Sequence, residues 1–152
     1  MIDNNIKLLE FGIFSKSSAG NYREKDSTSP VGYYLRTDYV DLIQETTKVF
    51  ARIGVIFGIK YFIGDRENGP DHYACQLSHP PLTNPSDGSS FDRIVEVKSG
   101  MAGEISFDFF EFEYEWEMQE GIWCFEIIAD DTSILKKNFT IITPDETKRG
   151  PR

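Results

Sequence analysis

Cysteine, histidine and positive charge are scarce in this chain, and each scarcity closes a class of function. Two cysteines, Cys75 and Cys124, in 152 residues are too few for a disulfide scaffold. They are expected as free, largely buried thiols. Two histidines and no Gly-x-Ser-x-Gly elbow leave no nucleophile with its base in view. No G-x-x-x-x-G-K-[ST] and no G-x-G-x-x-G occurs, so no phosphate loop is encoded. The 16 Lys and Arg are outnumbered by 25 Asp and Glu, a net charge of −9. That balance argues against non-specific nucleic-acid binding and against docking on an anionic membrane, both of which need cationic side chains. No apolar run approaches the ~20 residues of a membrane-spanning helix. The opening MIDNNIKLLEFGIF lacks a basic region followed by an apolar core, so no signal peptide is read and the expected location is cytoplasmic.

Aromatic residues are plentiful. Twelve Phe, seven Tyr and two Trp favour strands and bury large areas. Residues 103–142 carry the strongest pattern. Phe110, Phe112, Tyr114 and Trp116 alternate with Glu111, Glu113, Glu115 and Glu117. Trp123, Phe125 and Ile127 repeat the spacing, Asp130-Asp131-Thr132-Ser133 is turn-forming, and Phe139 and Ile141 finish it. A period of two puts one face in a core and the other in water. With Phe57, Ile59, Tyr61 and Phe107, these aromatic and aliphatic residues are expected to line one core. The earlier set Ile105, Phe107 and Phe109 is out of phase with Phe110 onward, which predicts a bulge near Phe109-Phe110.

In chain order, residues 6–14 read as an edge strand, 15–30 as a long polar loop and 31–36 as a short strand. Residues 38–46 fit either a helix capped by Asp38 or a strand, and the β-rich flanks favour the strand. Residues 48–63 are too long for one strand and are expected to break at Gly54. Residues 64–71 form a turn. Tyr73, Cys75 and Leu77 alternate until His79-Pro80-Pro81 ends the strand, because proline cannot donate to the ladder. Ile94, Val95 and Val97 mark a further strand. Between residues 117 and 122 the chain either makes a hairpin or crosses between sheets. A hairpin would set Glu113 against Glu126, so the crossing is preferred. Residues 1–142 read as one domain and 143–152 as a polar tail. Eight or nine short strands describe an all-β sandwich or barrel.

The motif GIWCFEI, a polar turn and then ILKKNFTI resembles the last two strands of immunoglobulin-like sandwiches. With ARIGVIFGIKYFI and SHPPLTNP upstream, the chain resembles the DUF3859 family of unknown function over most of residues 6–142. That resemblance implies an immunoglobulin-like antiparallel β-sandwich and carries no catalytic residue. The antibody-type Cys–Trp–Cys order is not reproduced, since Trp123 directly precedes Cys124.

Candidate sites are few. Asp71, His72, Cys75 and His79 suggest metal ligands, but on a strand His72 points away from Cys75 and His79. Asp65, Asn68 and Asp71 depart from the calcium-loop spacing and suit a hairpin turn. No metal and no cofactor is expected. The surface feature that stands out is the row Glu111, Glu113, Glu115 and Glu117, read as a solvated strand face or as an acidic strip for a basic protein partner. The expected function is a non-enzymatic binding module. The alternatives are a homodimeric structural protein and a hydrolase-like enzyme whose site is built from separated loops.

Overall fold

The computed structural model describes residues 6–16, 23–25, 33–35, 40–64, 72–99 and 103–144. In chain order its strands are β1 (Ile6–Lys16), β2 (Arg23–Lys25), β3 (Tyr33–Leu35), β4 (Val40–Gln44), β5 (Lys48–Phe50) and β6 (Ile56–Ile63). They continue with β7 (His72–Thr83), β8 (Ser90–Ser99), β9 (Ile105–Glu111), β10 (Gly121–Ala129) and β11 (Thr132–Ile142). A four-stranded sheet has the order β4-β1-β6-β9, a five-stranded sheet the order β5-β11-β10-β7-β8, and β2 pairs with β3. All pairings are antiparallel except β5 with β11.

The expected break at Gly54 is real. β5 and β6 belong to different sheets, and the turn between them holds Gly54 at a φ of 94°, where glycine carries no steric penalty. The strand reading of residues 40–44 holds as well. β10 and β11 are joined by Asp130-Asp131, both at positive φ (51° and 58°), the two-residue connection whose twist matches its flanking strands. Chain crossing replaces the hairpin after β9, because β9 and β10 lie in different sheets. Glu126 therefore faces Lys136 of β11, an opposite charge.

The core fills the space between the sheets. Phe57 is its centre: it stacks on Phe112 at 5.5 Å and meets Trp123, Phe125 and Phe139 edge-on. Ile59, Tyr61, Ile127 and Ile141 join it. Edge-to-face packing of this kind adds about 0.5–1.5 kcal/mol per pair beyond area burial.

Four expectations need correction. β1 is not an edge strand; β4 pairs along its outer side. His79-Pro80-Pro81 does not end β7. The ladder slips between Ser78 and Leu82, the prolines sit in that irregularity, and pairing resumes at Leu82. No bulge interrupts β9. Its ladder to β6 runs regularly from Ile105 opposite Phe62 to Glu111 opposite Ile56. Apolar residues of both phases find apolar neighbours, because a cluster lies on each face of this strand. Phe110 faces the main core. Phe107 and Phe109 face the other way, where Phe107 meets Phe14 at 4.6 Å in a second apolar cluster with Val40 and Ile56. Phe107 is thus not in the main core. Tyr114 is 50% exposed and Trp116 only half-buried, for the reason given next.

Candidate functional site

The four expected site residues do not form one strip. β9 ends at Glu111, and the chain then leaves the sheet to cross the sandwich. Gly54 and Val55 hold Phe112 through backbone hydrogen bonds there. A 3-10 turn over Glu115–Glu117 changes the side-chain period from two to three. Glu111 stays on the strand and pairs with Lys16 at 3.4 Å. Glu113 is half-buried in the crossing and Glu115 is exposed. Glu117 turns inward to 4% exposure and accepts the backbone N–H groups of Glu113 at 2.7 Å and Tyr114 at 3.0 Å. Burial raises its pKa, against the lowering effect of those two bonds. Its job is local: it ties off the turn that carries Trp116.

The residues of the metal-like group part company. Asp71 and the calcium-like set Asp65, Asn68 and Asp71 lie outside the described residues. His72 is exposed while Cys75 and His79 face inward. Cys75 and Cys124 are free thiols whose ladder partners, Ile127 and Ser78, place them on opposite faces of the five-stranded sheet.

His79 stacks on Trp123 at 4.8 Å and meets Phe91 edge-on at 5.5 Å. Its Nδ1 is 2.7 Å from the Pro80 carbonyl, so Nδ1 carries the proton and Nε2 is a buried acceptor with no hydrogen-bond partner among the described residues. Burial holds the imidazole below its ordinary 6.5, against weaker opposing effects of the Pro80 carbonyl and Asp92. As pH falls, the unfolded chain therefore takes up this proton first. The stability present above about 6.5 is lost as pH drops through the folded value. The melting temperature of His79→Phe is expected to fall less steeply than the parent's between about pH 7 and pH 5. Equal slopes would contradict this.

A second, unforeseen cluster bridges the sheets. Lys98 on β8 and Asp108 on β9 point into the sandwich from opposite sheets, with Nζ 2.7 Å from Oδ1. Lys98 Nζ also donates to Ser106 Oγ at 2.8 Å and lies 3.5 Å from the Tyr61 hydroxyl. Tyr61 donates to the second Asp108 oxygen. The Tyr73 hydroxyl is 3.0 Å from that of Tyr61. Gly58 lets β9 come this close: a Cβ there would lie 2.1 Å from the Asp108 carbonyl oxygen. Burial pushes the Tyr61 and Tyr73 hydroxyls and the Cys75 thiol upward, with Asp108 adding to each. Burial pulls Lys98 down, but Asp108 and its other neighbours more than offset it and hold the ammonium above its usual range. An ammonium with three protein acceptors within reach and hydroxyls that keep their protons make a structural tie. They do not offer water or substrate a base or nucleophile at neutral pH.

Sequence reasoning missed this cluster, although a signal existed. Ser106 and Asp108 share the phase of Phe110, and Lys98 shares that of Ile94. Polar residues in an apolar phase mark buried partners.

β8 itself is the other feature. It is the last strand of its sheet and pairs only with β7 among the described strands. It leaves Val95 48% and Val97 76% exposed. Its neighbours on the chain include Asp92 and Glu96.

This geometry, two packed sheets of four and five strands closed by an aromatic core, defines an immunoglobulin-like β-sandwich. A solved immunoglobulin-like protein from Pseudomonas aeruginosa is similar: 22% identity, 93% of this chain and 94% of that one covered, TM-score 0.62. At that identity the likeness establishes the fold. Residues 3–141 match the family model described as domain of unknown function DUF3859, and the chain belongs to that family. No curated protein matches it. No helix among the described residues is long and apolar enough to cross a membrane.

Proposed function

We propose that this domain is a non-enzymatic binding module of the cytoplasm whose edge strand β8 takes up an extended, basic segment of a partner protein. One observation carries the reading: a ten-residue strand at the end of a sheet that presents Val95 and Val97 to solvent. An open edge offers main-chain donors and acceptors to an added strand, and alternate side chains set its register. The net charge of −9 selects a cationic occupant and steers its approach. Surface aliphatics of this size on an edge invite pairing with an added strand.

The test uses Lys- and Arg-bearing ten-residue peptides of high β propensity. The parent is expected to bind a subset of them, more weakly as salt rises. Val95→Lys/Val97→Lys is expected to lose that binding at least tenfold while melting within a degree or two of the parent. Peptide binding unchanged in the double variant would overturn the reading. A concentration-dependent dimer lost in the same variant would give the edge to a second copy of this chain instead.

A further inference from the structure

We propose that Lys98 and Asp108 condense into an isopeptide bond that staples β8 to β9 across the sandwich. Contact and exclusion of water distinguish this pair. Its Nζ–Oδ1 distance is 2.7 Å, with side chains 12% and 4% exposed. The pairs Lys16–Glu111 at 3.4 Å and Lys60–Glu10 at 3.2 Å are longer, and each has a side chain with 30% exposure or more, 32% for Lys16 and 39% for Glu10. Nζ is thus held in hydrogen-bond contact with the carboxyl group whose carbon it would attack.

The chemistry balances within the cluster. One proton moves from Nζ to Oδ1 along the existing hydrogen bond. This leaves the net charge of the pair unchanged: the ion-pair attraction is given up, and release of two buried charges from a dry site works in favour of the neutral pair. The Nζ lone pair then attacks Cγ and forms the C–N bond. A second proton passes from Nζ to Oδ1, the Cγ–Oδ1 bond breaks, and one water leaves. Oδ2 becomes the amide carbonyl oxygen. The Tyr61 hydroxyl, already donating to Oδ2, stabilises the negative charge that builds there during attack.

The product suits the site better than the reactants do. Two buried charges, each costly to desolvate, become one neutral amide. The remaining N–H keeps the Ser106 hydroxyl as acceptor, and the carbonyl keeps Tyr61 as donor. No polar atom is orphaned. β8 and β9 are the last strands of their sheets on the same side of the sandwich. A covalent tie there fixes the very edge that an added strand would load.

Mass spectrometry decides it. The full chain, held at neutral pH until its mass stops changing and then fully denatured, is expected to weigh one water less than its sequence. Trypsin is expected not to cut after Lys98, leaving residues 94–136 as one internally looped peptide a water lighter than its sequence, and a second cleavage after Glu104 is expected to convert that loop into a branched peptide joining Lys98 to Asp108. Lys98→Arg keeps a cation beside Asp108 but removes the reactive amine, and is expected at its full sequence mass with no branched peptide. The full sequence mass for the parent would overturn the proposal. So would a water loss that maps to Asp87-Gly88, where an aspartyl-glycine can cyclise on its own backbone.

Discussion

Trp123→Ala is expected to cost about 3–5 kcal/mol, because lost transfer energy and the cavity left behind add. In a chain of this length that lowers the melting temperature by roughly 6–20 °C. Trp123 has no exposed surface. Its ring contacts Phe57, Phe110 and Phe112 from the four-stranded sheet and the crossing segment, and stacks on His79 from its own sheet. The indole Nε1 donates to the Gln119 carbonyl at 3.0 Å, so the same residue holds the end of the crossing segment. One substitution therefore removes contacts on three sides and a partly buried hydrogen bond. Thermal melts by near-UV circular dichroism check it. A variant that melts within a degree or two of the parent would mean that the core is arranged differently.

Asp108→Ala is expected to cost a similar amount, about 3–5 kcal/mol, for a different reason. The intact pair need not add much net stability, since desolvation of two charges offsets their attraction. Removing one partner leaves the Lys98 ammonium and the Tyr61 hydroxyl in a dry site without their carboxylate acceptor. The loss is read by urea denaturation at neutral pH of the variant and of freshly made parent that still has its full sequence mass. A midpoint unchanged by the substitution would show that Asp108 is not the acceptor for these groups.

The two cases show what was legible in the sequence. Trp123 was readable because β10 buries Trp123, Phe125 and Ile127 more deeply than its other face, so its period of two points straight at the core. The same rule placed Phe57, Phe125, Phe139 and Ile141 correctly. It failed on β9 because that strand is covered on both faces, and alternation then no longer says which face is the interior. Phe107 was assigned to the wrong side, and Asp108, its neighbour, drew no reading. The glutamate row failed for another reason. The alternation from Glu111 to Glu117 is flawless as text, but a strand also needs a partner to pair with. Past Glu111 the chain turns away from β6, and a 3-10 turn sends Glu117 inside and Tyr114 out. Edge position, which gives β8 its interest, depends on strand order in the sheet, and local pattern holds no record of that.

β8 carries the proposed function. The most direct measurement is an amide chemical-shift titration of the isotope-labelled domain with a basic, strand-forming peptide that it binds. Shifts are expected to concentrate on the β8 backbone from Ser90 to Ser99, with new protection of those amides from solvent exchange. Shifts centred instead on Glu113 to Glu117, or spread over the face of either sheet with β8 unmoved, would contradict it.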